Sequence, residues 1–420
     1  LTQSGGFAGY QTSADDILVL KLIEDRGDVL QLRPKGGGDP VEIEKELLRP
    51  WLFGRDVERW HIAWDGWYVL FPYAKIEGSY RLIPSKEYED EFDYADKAPR
   101  IEDFPEAWSY LKRHERELRN REGGRFKRGK GKEHLWYGAT YPRSLELYEE
   151  PKILVQTTST QPDMAYDDEG GFVFAASGTA NVYGVLPATR RINPRLLLSL
   201  LNSQVLDFFL KHCSVIYAGK SYAYGDQFIK QLPICLPKTK SQKEIAERLA
   251  ELAQELTELK GKLRAKERER AAFPEFQLKE LKGRPELYPL SRLVRGTPQA
   301  RKVSVEDVRL QQQLDGSWAM AFGRTTLVSP TEAHACTAEA WLKVQGRSQV
   351  PSDELMQLKL PTEERDCQKL LVLLEETERE IESLQRCIAN QEAEVDELVA
   401  KLYGLNKSDQ KVIRGFLARF

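Results

Sequence analysis

From Ser241 onward, apolar residues recur at Ile245, Leu249, Leu252, Leu256, Leu259 and Leu263, spaced 4-3-4-3-4. This is the spacing with which one seam of an α-helix meets a partner helix. A second seam runs through Leu370, Leu374, Thr377, Ile381, Leu384, Ile388, Gln391, Val395, Leu398 and Leu402, with only Thr377 and Gln391 polar. At the usual helical rise the first helix is roughly 45 Å long and the second roughly 60 Å. The other faces are mostly Glu, Lys, Arg, Gln and Ala, so neither stripe is buried unless something packs on it. The simplest closure pairs the two with each other, antiparallel, as a two-helix coiled coil over 241–271 and 362–403. Gly261 is its weak point.

The sequence between the seams, 272–361, is too long for a loop. It holds seven prolines and the strand-like pieces RKVSVEDVRL and SWAMAFGRTTLV, which predict a small β-containing insert. After Gly404, Ser408 is the expected cap of a C-terminal helical tail, 404–420. Residues 1–240 alternate β-rich runs with turn signals: ILVLKLI, DVLQL, WYVLFPY, PKILVQTT, FVFAA and NVYGVLP. Asn193 and Pro194 start one clear helix, LLLSLLNSQVLDFFL, whose face Leu197, Leu201, Val205 and Phe208 is expected to pack on a sheet. The fold class is α+β: a mixed α/β domain, then the long helical pair with its insert.

Several function classes are excluded. No run of 18 apolar residues and no basic-then-apolar leader occurs, so neither a membrane span nor a secretory signal is read, and a cytoplasmic protein is expected. The polar start LTQSGGFAGYQTSADD reads as a cut between domains, with an upstream neighbour before Leu1. Five cysteines, at 213, 235, 336, 367 and 387, form no C-x-x-C pair, and five histidines show no zinc spacing. His212 and Cys213 read as a packed helix end, so no metal site is expected. There is no P-loop, no G-x-S-x-G and no G-x-G-x-x-G after a strand. Asn193-Pro194-Arg195 lacks the second proline and aromatic that hold a flipped adenine, and Pro162-Asp163 is not followed by a nuclease-type Glu/Asp-x-Lys. No catalytic or cofactor-binding residue is assigned.

Charge is informative once resolved by segment. The net charge is −3, yet 362–403 alone has 5 basic and 12 acidic residues. In LKRHERELRNREGGRFKRGKGK, 111–132, 10 Lys or Arg face 3 Glu, and its glycine-rich end GGRFKRGKGK has no acid. Such a flexible basic stretch suits phosphate neutralisation, with Arg121, Arg125, Lys127, Arg128, Lys130 and Lys132 as the candidate contacts. A solvated surface loop has the same composition. Trp136 and Tyr137 follow directly, as buttresses of the loop or contacts to a sugar edge, with core packing the favoured role for the tryptophan.

GYQTSADDILVL, LLRPWLFGRDVERW, WYVLFPY, YEEPKILVQTTS, LLLSLLNSQVLDFFL and DQFIKQLPICLP resemble, in sequence and in order, the TaqI-like C-terminal specificity domain. This is the target recognition domain of type IIG-like adenine-specific DNA methyltransferases in restriction-modification and phage-defence systems. AEVDELVAKLYGLNKSDQKVI resembles the helical end of the same proteins and of type I specificity subunits. The resemblance implies a target recognition domain over 1–240 that docks double-stranded DNA against a separate catalytic domain, upstream or on another chain, which binds S-adenosylmethionine. The 272–361 insert has no counterpart in it. Base reading is then expected from Gln156, Thr157, Thr158 and Ser159, and from Tyr217, Lys220, Ser221 and Tyr222. The first run serves equally to satisfy turn hydrogen bonds. Arg49, Arg55 and Asp56 serve equally as an internal Arg–Asp arrangement fixing the fold. A coiled-coil interaction scaffold, or a type I-like subunit working with a separate methyltransferase, is the alternative.

Overall fold

A computed structural model describes residues 14–140, 142, 144–174, 182–187, 192–217, 219–323 and 325–420. The leading polar stretch up to Ser13, Ala175 and Ala176 of FVFAA, Asn181, Ala218 and Arg324 lie outside the described residues. The chain divides into two compact units, Leu1–Glu258 with Gln391–Phe420, and Leu259–Asn390.

The first unit is built on a six-stranded sheet, in the order Val173–Phe174, Leu48–Leu52, Trp67–Leu70, Val19–Asp25, Val29–Pro34, Val41–Glu44. All pairings are antiparallel except that of Val173–Phe174 on Leu48–Leu52. Leu20, Leu30, Leu32, Ile43, Leu52 and Leu70 fill one buried face, at spacings that follow the period of two. A second sheet places Lys152–Gln156 between Met164–Asp167 and Val182–Val185. Phe104 and Pro105 open a helix, Pro105–Arg113, that buries Ala107, Tyr110 and Leu111.

The expected single helix over 196–210 is two helices, Pro194–Leu201 and Gln204–Cys213. Asn193 caps the first by accepting from Arg195 N. Ser203 ends it by donating to Leu200 O at 2.6 Å and caps the second by accepting from Leu206 N. The break rotates the buried face. Leu197 and Leu201 are buried as expected, but in the second helix Leu206, Asp207, Leu210 and Lys211 turn inward and Val205 and Phe208 are only half-buried. The terminal helix, Lys407–Leu417, is capped by Asn406 rather than Ser408. Asn406 accepts from Ser408 N and Asp409 N, and Asp409 reaches back to Asn406 N.

Helices Lys240–Ala271 and Glu364–Leu402 carry the two seams. In the first unit, Arg248 pairs with Glu394 at 2.9 Å and Gln391 donates to Glu255 at 2.6 Å, so the segments run antiparallel. Leu249, Leu252, Ala253 and Leu256 are fully buried, a stripe wider than a two-helix seam. The extra width meets the Pro194–Leu201 helix, where Ser199 Oγ donates to Leu249 O at 2.7 Å. In the second unit Lys266 pairs with Glu380 at 2.8 Å, and Leu263, Leu370, Leu374, Ile381 and Ile388 are buried. The helix runs through Gly261 without a break.

The second unit contains the β-containing insert. A meander of Arg309–Gln312, Trp318–Phe322 and Thr325–Ser329 stands beside the ladders Leu287–Pro289/Lys359–Pro361 and Lys302–Ser304/Gln349–Pro351. Helix Glu332–Val344 buries His334, whose Nε2 lies 2.9 Å from Pro361 O. Leu290, Met320, Leu327, Leu342, Val350 and Leu360 form one core with Cys367 and Leu370 of the long helix.

Candidate nucleic-acid interface

The two polar runs singled out in the sequence, on the order of 60 residues apart, meet. Thr158–Ser159 pairs antiparallel with Tyr222–Ala223, and Tyr224 N donates to Thr157 O at 2.8 Å. A groove of 360 Å³ opens beside this ladder, lined by Thr157, Thr158, Tyr183, Tyr217, Asp226 and Gln227 among others. Thr158, Tyr217, Lys220 and Ser221 are at least partly accessible, as contact with a ligand requires.

Other members of the two runs are engaged inward. Gln156 Nε2 donates to Gly54 O at 2.7 Å, tying the strand end to the 47–60 motif. Ser159 is buried, and its Oγ donates to Asp163 at 2.5 Å. Burial pushes the Asp163 carboxyl up, against the hydrogen bonds it accepts from Ser159 and Gln161. Tyr222, expected at the surface as a base contact, is instead buried edge-on against Phe420 at 5.3 Å, with the Lys211 ammonium over its ring.

The basic segment is less free than its composition implies. Its first half is helical, the end of Pro105–Arg113 and the start of Glu115–Gly124, which kinks at Arg121, and it is held by two buried arginines. Arg119 donates to Glu115, Phe126 O, Glu133 O and Tyr88. Arg121 donates to Leu118 O at 2.9 Å, Trp136 O at 2.7 Å and Gly138 O at 3.0 Å. The phosphate role read for Arg121 is therefore corrected: its guanidinium is an internal strut. Arg125 is half-buried beside Phe126. Lys127, Arg128, Lys130 and Lys132 remain exposed, with Gly129 and Gly131 between them at φ +77° and +70°. That left-handed backbone is open to glycine at little strain, so the chain turns at both and the cations project from a tight loop. Arg128 pairs with Glu87 at 2.8 Å, which ties the loop to the short helical turn Lys86–Glu91. Trp136 and Tyr137 are fully buried, and Tyr137 donates to Ile83 O at 2.6 Å, so both buttress the loop from the core.

Arg49 and Asp56 are structural. Arg49 donates to Glu46 O and Leu48 O and lies over Phe71, while buried Asp56 accepts from Phe53 N at 2.8 Å. Burial pushes the Asp56 carboxyl up, and Arg55, 3.8 Å away, pulls it down less. Lys152 and Asp167, opposite each other on the paired strands Lys152–Gln156 and Met164–Asp167, form a buried pair at 2.6 Å. Burial lowers the lysine and raises the aspartate, and their mutual attraction opposes both shifts.

A polar cluster that the sequence did not reveal joins Arg59, Asp207, Lys211 and Tyr224 to the returning helix, the Gln391–Leu402 end of Glu364–Leu402. Lys211 donates to Asp207 and Thr160 O, Tyr224 donates to Asp207, and Arg59 pairs with Glu392 at 3.5 Å. Trp60 Nε1 donates to Glu392 and Gln204 N to Asp396, each at 2.8 Å. Burial pushes Asp396 up to about 6. Its only sequence signal is charge on the helix-packing side of LDFFLK, which reads as ordinary solvated polarity. No group of His, Cys, Asp and Glu suited to a metal ion occurs among the described residues, and no described helix is long and apolar enough to cross a membrane.

Residues 49–234, the part that holds the two polar runs, their groove and the basic loop, match the family model of the TaqI-like C-terminal specificity domain. The chain thus carries a specificity domain of the restriction-modification class. Among solved structures it is similar to a type-I restriction-modification system S subunit from M. genitalium, at 11% identity, covering 63% of this chain and 86% of that one, with a TM-score of 0.30. It is also similar to the HsdS subunit from Thermoanaerobacter tengcongensis, at 14% identity, covering 60% and 79%, with a TM-score of 0.22.

Proposed function

We propose that the chain is the DNA sequence-recognition region of a site-specific adenine methyltransferase, type IIG-like, in a restriction-modification or phage-defence system of the cytoplasm. The observation that supports this most directly is the ladder of Thr158–Ser159 on Tyr222–Ala223, which gathers two distant polar runs around one groove inside a specificity domain. Threonine and serine hydroxyls, a tyrosine and Lys220 supply the donors and acceptors that base edges and phosphates need. The loop cations Lys127, Arg128, Lys130 and Lys132, with Arg125 at its edge, neutralise the phosphate backbone. The methyl donor, S-adenosylmethionine, belongs to a catalytic domain in cis upstream or on a separate chain. A second reading, a type I-like subunit serving a separate methyltransferase, draws on the acid-rich helix Glu364–Leu402, a face on which another subunit can dock.

The test is selection of duplexes from a random library by the purified chain at ~50 mM salt, where phosphate contacts are least screened. Enrichment of one sequence is expected. Recovery of no duplex at that salt would overturn the reading in favour of the interaction scaffold.

A further inference from the structure

Single apolar side chains on a surface are ordinary, but a contiguous exposed set marks a place where something binds. Val215, Ile216 and Tyr217 are consecutive and 54%, 59% and 52% exposed. They form the outgoing arm of a hairpin. Ala223 N donates to Val215 O at 3.1 Å, Tyr217 N donates to Ser221 O at 2.7 Å, and Ile216 bridges to Tyr222. Successive side chains of an extended arm leave from opposite faces. Val215 and Tyr217 therefore share one face and Ile216 takes the other, and since both faces are bare, this arm projects from the domain instead of covering it.

Its root is fixed. On the return arm Tyr222 is buried, and Tyr222–Ala223 continues the ladder with Thr158–Ser159. Gly219, at φ +67°, contributes to the turn, and exposed Lys220 has no ion pair among the described residues. Tyr217 also lines the groove with Thr157 and Thr158. A rigidly rooted finger with apolar flanks and an ammonium at its tip complements stacked bases bordered by phosphates. A purely apolar protein surface would leave that ammonium without a counter-charge.

We infer, building on the DNA reading above, that this hairpin is a wedge: Ile216 and Tyr217 lodge at a base step and unstack it, while Lys220 holds the flanking phosphate. Part of the sequence preference is then read as the ease of deforming that step, which favours the flexible pyrimidine–purine steps, rather than through hydrogen bonds to base edges.

The experiment uses the whole 420-residue chain and the duplex obtained by selection, with 2-aminopurine replacing each adenine in turn. Wild-type protein should brighten the probe at one step and bend the duplex in a fluorescence-transfer assay. The double variant Ile216→Ser/Tyr217→Ser should lose both signals while its circular dichroism and melting stay unchanged, since the side chains replaced are more than half exposed. Val412→Ser, an equally exposed apolar change on the terminal helix, should keep both. If selection recovers no duplex, the DNA reading itself fails. If a duplex is bound but no probe brightens, or the double variant behaves as wild type, the wedge is wrong while the DNA reading stands.

Discussion

Replacing Lys127, Arg128, Lys130 and Lys132 together by glutamine separates cations that face phosphate from cations that hold the fold. All four are exposed, and the one ion pair they make among the described residues, Arg128 with Glu87, has side chains 73% and 37% exposed, so it yields readily to a phosphate. Each phosphate contact contributes about 0.9 to the slope of log affinity against log salt, so losing four should flatten it by about 3.6. Between 50 and 200 mM salt, those contacts account for about a hundredfold in affinity. The loss should be equal for target and scrambled duplexes, because phosphates carry no sequence. Arg121→Gln removes one charge from the same segment but should act differently. It strands the carbonyls of Trp136 and Gly138 in the core and should cost about 3–5 kcal/mol of stability. The assays are a salt titration by fluorescence anisotropy and thermal melting. A quadruple variant with the wild-type slope, or an Arg121→Gln variant that melts normally and flattens the slope, would refute the assignment.

Leu252→Glu with Leu256→Glu should destabilise the first unit by several kcal/mol, since each fully buried leucine loses about 2–5 kcal/mol on truncation; unchanged denaturant unfolding would contradict the helix packing. Lys152→Met should cost about 3–5 kcal/mol by leaving Asp167 buried without its partner, and adding Asp167→Leu should recover much of the loss in chemical denaturation. Asp396 is raised from 3.8 to about 6 by burial, so its contribution is fully present below pH ~4 and lost as pH rises through about 6. Melting temperature should therefore fall between about pH 4 and about 6 and level off above that. Asp396→Asn, which keeps an acceptor for Gln204 N, should flatten that slope and melt no lower than wild type at the upper end of that window.

The parts legible in the sequence were those set by periodicity. The 4-3 seams carried through as helices because their leucines and isoleucines have no competing local signal, and most of the β-rich runs became strands. The break at Asn202 and Ser203 was hidden because LLLSLLNSQVLDFFL keeps its apolar content across it. What stops the helix is a serine hydroxyl competing for backbone partners, a signal that composition alone does not reveal. Arg121 and Arg128 look alike in a basic run. Which one is buried depends on carbonyls at Trp136 and Gly138, contributed by chain beyond the segment itself. Tyr217 reads from the sequence as a base contact while Val215 and Ile216 carry no signal of their own, and only their exposure on both faces sets the three together.

The matched family segment ends at Ile234, yet the first unit does not. The Pro194–Leu201 helix closes against Leu249 through Ser199, and Trp60 and Gln204 give their N–H groups to Glu392 and Asp396. Tyr403 donates to Pro233 O at 2.6 Å and accepts from Cys235 N at 3.1 Å. His212 stacks on Phe416, and Tyr222 meets Phe420 edge-on. Cutting the chain after Thr239 therefore strips apolar cover from the helix beside the groove and leaves a tryptophan N–H and a helix N-terminal N–H without acceptors, at about 1–3 kcal/mol for each stranded group. Residues 1–239 alone should bind a hydrophobic dye and melt without a cooperative transition. Replacing 272–361 by a short glycine–serine turn removes none of these contacts and should leave the first unit's melting intact. A cooperative fold from 1–239 would mean that the returning helix only rests on the specificity domain; loss of folding in the turn variant would mean that the helical pair depends on its insert.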